Sequence, residues 1–156
     1  MFNKIFKSLV RSKFSLSGFI LLLPFYFLYQ SLNPEFPAVW QSQMAGNYEV
    51  SPMPFDMEQP YSHHGVFVKD FMLIFSKGEV KTIRQAYLNI GTEPLPLSEF
   101  QKYHEGILHG SRHGQHVHAL TNAQLVHSDK VWLTIENWQG EISQASWILP
   151  TGFTIN

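Results

Sequence analysis

The sequence predicts a mainly β fold: an immunoglobulin-like β-sandwich of about seven strands with one short helix, preceded by a single N-terminal transmembrane helix. Two observations predict it. One is an uncharged apolar run near the N-terminus, and the other is a series of short apolar segments separated by Gly and Pro from residue 47 onward. A chain of 156 residues is long enough for an anchor and one small domain. The size and strand number are those of an immunoglobulin-like domain.

The apolar run, Phe14–Pro34, has 21 residues without a charge. At about 1.5 Å per residue a helix of that length covers about 30 Å, the thickness of the hydrocarbon layer. We expect Pro24 to kink this helix, which membrane helices tolerate. Residues 1–13 carry a net charge of +4, and acidic Glu35 follows the run. This asymmetry predicts a cytoplasmic N-terminus, contact with lipid through the helix, and an extracytoplasmic C-terminal domain at a bacterial-type inner (plasma) membrane.

Two alternatives to an anchor are a cleaved signal peptide and a buried core helix. A signal peptide requires small residues at the cleavage site. The candidate sites Phe36-Pro37-Ala38 and Gln43-Met44-Ala45 each have a large residue three positions before the cut. The anchor is therefore the favoured interpretation.

The predicted organisation is a basic tail at 1–13, the anchor at 14–34, a linker at 35–46 and the β domain at 47–156. A capping-box pattern from Ser98 predicts a short helix that ends by Glu105. The pattern of 81–90 also fits a helix, but its length and the following Gly91 favour a strand. The predicted strands are 47–51, 66–76, 81–90, 115–120, 123–127, 131–136 and 142–149. The strand at 66–76 is apolar on both faces from Phe71 onward, which predicts a central, fully buried strand.

Charge and composition exclude several classes of function. The formal net charge is −1, so the residues after the basic tail carry −5, which argues against nucleic-acid binding. The absence of cysteine excludes disulfides, thiolate metal sites and cysteine nucleophiles.

Histidines cluster in the second half of the domain, where five of the eight lie between positions 104 and 118. On a strand, His116 and His118 would share one face, while Val117 and Ala119 would point into the core. A Gly-flanked loop with His109 and His113 precedes them and could supply a third imidazole. Imidazole is a good ligand for Zn(II) and Cu(II). The pattern predicts a copper or zinc site in which His116 and His118 are the core ligands and His113 or His109 completes the site.

A second candidate cluster combines thioethers with imidazoles. It consists of Met53, Met57, His63 and His64. Thioethers with imidazole suit Cu(I), which favours copper over zinc.

Other interpretations of the same residues stay open. The histidines could be ordinary hydrogen-bonded surface residues, or they could sense pH, because imidazole titrates near neutrality. Catalysis is not predicted: Gly110-Ser111-Arg112-His113-Gly114 is not a nucleophile elbow, and there is no phosphate-binding loop. A hydrolase or transferase is the alternative. Trp138, in a predicted turn, is either a packing residue or an exposed contact for a partner.

The sequence therefore predicts a membrane-anchored extracytoplasmic protein that binds or delivers a metal, copper in preference to zinc. The alternative is a non-catalytic interaction or assembly subunit of a larger membrane complex, in which the histidines are incidental. The layout of one helix followed by a small extracytoplasmic sandwich resembles that of accessory proteins of respiratory oxidases and copper handling. This resemblance is one of layout alone and implies no particular site residues.

Overall fold

The computed structural model describes residues 18–111 and 114–153. It divides the chain into two units, of which the second begins at Phe36. In the first unit, helix α1 is Leu23–Leu32, with Pro24 in its first turn, and all its side chains are exposed. Residues 14–17 of the predicted anchor lie outside the described residues. Within the described residues, no helix has the length and apolar character needed to cross a membrane.

The second unit is built from nine short strands and little helix. The strands are β1 (Gln43–Ala45), β2 (Tyr48–Pro54), β3 (Tyr61–His63), β4 (Val66–Lys77), β5 (Ile83–Gly91), β6 (His109–Ser111), β7 (Gly114–Thr121), β8 (Lys130–Asn137) and β9 (Ile142–Ile148). A 3-10 turn at Val80–Thr82 precedes β5, and helix α2 (Leu97–Phe100) follows it. The prediction of a mainly β domain is confirmed.

All nine strands belong to one sheet, with the order β1-β2-β4-β7-β5-β8-β9, while β3 adds to β4 and β6 adds to β7. Only β5 and β7 run parallel among the described strands. The two ends of this order meet where β1 lies against β9, so the sheet is a nearly closed barrel. The predicted seven-stranded immunoglobulin-like sandwich differs from this architecture. A sandwich has two separate sheets, whereas here the pairing of β5 with β7 joins both halves into one curved sheet.

The main core fills the inside of the curved sheet. Strand β4 is central, as predicted, and Phe71 and Leu73 are fully buried in this core. Met72 and Ile74 alternate with them on the outer face and are half-buried. The prediction that this strand is fully buried is therefore wrong for its outer face, where Met72 and Ile74 are only half-buried. The segment predicted at 81–90 is a strand, as expected, although it begins at Ile83.

A smaller apolar cluster covers part of the outer face. Val68, Tyr87 and Leu120 pack together there with Phe100 of α2. Helix α2 is shorter than the predicted helix and has no side-chain cap. After it the chain returns along the sheet, and the amide of Gly106 donates to the carbonyl of His118 over 2.9 Å. This return fixes residue 105 beside β7.

Some local predictions were wrong for identifiable reasons. Strand β2 continues through Pro52 and Pro54, beyond its predicted end. The backbone nitrogens of these prolines lie on the side of β2 away from β4, so the pairing with β4 loses no hydrogen bond. On that outer side the amide of Trp40 donates to the carbonyl of Pro52. Residues 123–127 form no strand, and Leu125 is instead buried in the main core.

The predicted linker at 35–46 contains β1 and Trp40. The Trp40 ring packs edge-on against Phe71 and Phe153 with centroid distances of 5.6 Å. Most of this segment therefore belongs to the β unit. Strands β1, β3 and β6 have three residues each, too few for a periodic pattern to predict.

Candidate metal centre

Five histidines and two carboxylates meet on the outer face of the barrel. We call this group the histidine face; its members are His63, His64, Asp70, Glu105, His109, His116 and His118. The predicted alternation in β7 is confirmed, because Val117 and Ala119 are buried in the core while His116 and His118 point outward. Strands β3, β4, β6 and β7 supply all the members except His64, which follows β3, and Glu105, which lies between α2 and β6.

Asp70 lies at one centre of this face because β4 and β7 are paired in register, with Asp70 opposite His118 and Met72 opposite His116. Asp70 Oδ1 is in contact with His118 Nδ1 and lies 3.9 Å from His116 Nε2. The hydroxyl of Tyr61 donates to Asp70 over 3.0 Å. The imidazole rings of His116 and His118 are 4.6 Å apart, edge to face.

Glu105 lies at the second centre and is almost fully buried, with 7% of its side chain exposed. Its Oε1 accepts hydrogen bonds from His63 Nδ1 at 2.8 Å and His64 Nδ1 at 2.9 Å. The His63 ring lies 5.0 Å from the His118 ring, so His118 stands between the two centres.

The donor atoms form two groups of three that share His118. One is His63, Glu105 and His118, and the other is Asp70, His116 and His118. Within each group the donor atoms lie within 4.8 Å of one another. Each group has two imidazoles and one carboxylate, a ligand set found for Zn(II) and for non-haem iron, with positions left open for exchange.

His109 holds His116 in one orientation. His109 Nδ1 donates to the carbonyl oxygen of Ile107 over 3.2 Å, so in a neutral ring its Nε2 accepts. That Nε2 lies 3.1 Å from His116 Nδ1. His116 therefore carries its proton on Nδ1 and turns the bare lone pair of Nε2 toward Asp70.

Two pKa values bear on the charge of this face. Burial, together with the neighbouring His118, lowers the pKa of His116 in spite of the opposing effect of Asp70. Burial alone would raise the pKa of Glu105, but hydrogen bonds from His64 and His63 outweigh it and hold that pKa below its ordinary value. At neutral pH, Glu105 is thus ionised and His116 is neutral, the forms that bind a cation.

Tyr61 is a hydrogen-bond donor to this face. Burial, and then the hydrogen bond to Asp70, raise the pKa of Tyr61 to about 12. The phenol therefore keeps its proton at neutral pH and orients the Asp70 carboxylate.

The structure brings together two clusters that the sequence keeps apart. His63 and His64 belong to the cluster predicted to include Met53 and Met57. Both hydrogen-bond to Glu105, and the ring of His63 lies 5.0 Å from the ring of His118. His109 lies behind His116 as its hydrogen-bond partner. His113 lies outside the described residues.

The two predicted methionine ligands lie in different parts of the structure. Met53 is in register with Met72, and Met72 is in register with His116, so these side chains form one row across β2, β4 and β7. Gly114 leaves room for this row, because a Cβ there would lie 2.9 Å from the Met72 sulfur. Met57 lies elsewhere, against Gly152.

Sequence reasoning missed Asp70, Glu105 and Tyr61. A signal for Asp70 was present, since Lys69-Asp70 interrupts an otherwise apolar strand. The strand turns the two charges to opposite faces: Lys69 points inward and is 1% exposed, paired with Asp56, while Asp70 points outward. Nothing local marks Glu105, which reaches the site through the return of the chain after α2.

Comparison with known families gives one result. Residues 8–150 match the family described as Uncharacterised conserved protein UCP029505. The chain belongs to this family. The region shared with the family contains the whole histidine face. No curated protein and no solved structure matches the chain.

Proposed function

We propose that this family member is a membrane-anchored, extracytoplasmic protein that binds and delivers a transition-metal ion, copper in preference to zinc. The observation that carries the proposal is the pair His116 Nε2 and Asp70 Oδ1, 3.9 Å apart. Both atoms present lone pairs and have no proton to share. A cation at about 2.0–2.2 Å from each would be stabilised between them, since such bonds span donor atoms up to about 4 Å apart.

The exposure of the site supports delivery over a structural role. Structural metal ions are enclosed by four ligands, whereas exchangeable ions keep open positions. In each group of three, two ligands or more are partly exposed to solvent, and only Glu105 is buried. A partner could thus reach the ion from outside. The role proposed is non-catalytic.

Two arguments favour copper. Imidazole and carboxylate ligands bind Cu(II) more tightly than Zn(II) by the general order of divalent affinities. The row of Met53 and Met72 beside His116 adds thioethers, which suit Cu(I) and not Zn(II).

The anchor is supported by α1 and by the charge at the N-terminus. Every large apolar side chain of α1 is exposed in its unit, and the preceding residues 1–13 carry +4. A lipid environment would cover these side chains and hold the basic end in the cytoplasm.

A reporter fused after Asn156 should be active only when it is exported. Activity in the cytoplasm would contradict this topology.

The alternative role, an interaction subunit of a membrane complex, is favoured by a different surface. Trp138, Ile142 and Ile148 are well exposed on the hairpin of β8 and β9 and present apolar area that a partner could cover. Trp138 donates to the carbonyl of Lys81 over 3.2 Å and so is held in place on this surface.

The metal content of the full chain separates the two roles. The protein would be extracted from membranes in detergent without chelators and its metals measured by mass spectrometry, beside the variant His118→Ala, which removes the ligand common to both groups of three. Copper bound to the wild type and absent from the variant supports the metal role. Equal metal in both proteins, or none in either, contradicts it and favours the interaction role.

A further inference from the structure

The two groups of three ligands lie side by side and share one residue. Among the described residues, the donor atoms of the five side chains do not form a single group of five. An ion held by Asp70 and His116 is therefore out of reach of His63 and Glu105 in this arrangement, while His118 belongs to both sets. The geometry offers two neighbouring positions and one common ligand.

Charge decides how many ions these positions take at once. Asp70 and Glu105 together supply −2, which balances one divalent ion. Two such ions would bring +4 and would have to share His118 while lying only a few ångströms apart. At that separation the repulsion between two divalent ions is strong in a partly buried site. Single occupancy is favoured.

We infer that one ion occupies the two positions alternately and passes between them while it stays bound to His118. This inference rests on the proposed function, because it describes how the same site moves its ion. In this exchange, His63 and Glu105 are replaced as ligands by His116 and Asp70, or the reverse. The ion keeps a protein ligand throughout and is never released to water during the step.

The two positions differ in their surroundings, so an ion at one can be distinguished from an ion at the other. The position at Glu105 adjoins His64, a histidine that is 72% exposed. The position at Asp70 adjoins the row of Met72 and Met53. An ion entering as Cu(II) would meet imidazole and carboxylate at the first position and would lie beside thioethers at the second.

The test uses the full chain in detergent and Cu(II) as the probe. One variant, His63→Ala with Glu105→Gln, removes the first position; another, Asp70→Asn with His116→Ala, removes the second; His118→Ala removes the shared ligand. His104→Ala, on an exposed histidine outside both groups, is the matched control. Thermal melting of each metal-free variant shows whether it is folded. If a pair variant is not folded, the single variant Glu105→Gln or His116→Ala is used in its place.

The inference predicts one ion per chain in the wild type and one in each pair variant. If the positions bind equally, each pair variant loses only about twofold in affinity, since one of two alternative states is removed. The electron paramagnetic resonance spectra of the two pair variants should differ, and the wild-type spectrum should be a sum of both. His118→Ala should lower the affinity far more.

Three results would overturn the inference. Two ions per wild-type chain would show a dinuclear site. Loss of binding in either folded pair variant would show a single composite site. In both cases the proposed function survives. No binding of Cu(II) by the wild type would instead remove the proposed function itself.

Discussion

His116 is held by His109, with Nδ1 of the first ring 3.1 Å from Nε2 of the second. The backbone carbonyl of Ile107 fixes His109 in turn. Metal-binding histidines commonly have such a partner on their second nitrogen, which sets the ring orientation and makes the ligand nitrogen more basic. In the proposed metal centre, His109 is therefore expected to position His116 and not to bind the ion itself.

Replacing His109 should weaken the metal site without removing it. In the His63→Ala/Glu105→Gln background, where only the position at Asp70 and His116 remains, we expect His109→Ala to lower the affinity for Cu(II) by about 10–100-fold, with the number of ions per chain unchanged. Calorimetric titration measures both quantities, and His104→Ala serves as the control. A loss of the ion in His109→Ala would make this residue a ligand, and an unchanged affinity would show that the hydrogen bond has no role.

Met72 should distinguish Cu(I) from Zn(II). Its thioether lies in register with His116, so Met72→Leu, which keeps the volume, should weaken binding of Cu(I) while leaving Zn(II) binding nearly unchanged. Competition with a chromogenic Cu(I) chelator measures the first affinity. Met57→Leu, a change at the methionine beside Gly152, is the matched control. Equal loss of both metals in Met72→Leu would mean that the sulfur acts only by packing.

Glu105 should make the metal-free protein sensitive to acid. Its pKa in the folded state lies below the ordinary value of 4.5, so its ionised form stabilises the fold above that pH. The stabilisation is lost as the pH falls through the lowered folded pKa. Glu105→Gln should therefore cost about 1.5–3 kcal/mol at pH 6–7, the usual range for a hydrogen bond to a charged group, and much less once the pH is below the lowered folded pKa. Urea unfolding across this range with a chelator present would show a difference that shrinks in acid; a difference independent of pH would refute the charge argument.

Lys69 and Asp56 should behave as a coupled pair. Lys69 is buried, contacts Asp56 and lies 5.6 Å above the ring of Phe153, whereas Asp56 is 50% exposed. Asp56→Asn leaves the buried ammonium without a carboxylate and should cost about 1–3 kcal/mol of unfolding free energy. Lys69→Met replaces the ammonium by an apolar group of similar length and should be close to neutral or stabilising.

The double variant completes this thermodynamic cycle. In the Lys69→Met background, Asp56→Asn should have almost no effect on the unfolding free energy, because no buried charge is left to pair. If Asp56→Asn costs the same in both backgrounds, its effect comes from the loop that contains it and not from the ion pair.

The features of the fold and site that depend on local periodicity could be predicted from the sequence. The alternation of His116 and His118 with Val117 and Ala119 predicted which residues face outward, and the apolar run around Leu73 predicted the central strand. The joining of the two halves into one sheet could not be predicted, because it depends on the parallel pairing of β5 with β7, which brings together Asn89 and Leu120 from distant parts of the sequence. Glu105 was missed for the same reason. Its place beside His63 results from the path of the chain after α2.

The most direct measurement is a titration of the metal-free full chain with Cu(II) by calorimetry, beside His118→Ala and His104→Ala. We predict one saturable ion per chain for the wild type and for His104→Ala, and loss of this binding in His118→Ala, whose imidazole belongs to both ligand groups. Equal binding by His118→Ala and the wild type, or weak uptake of several ions by all three proteins, would contradict a metal centre on the histidine face.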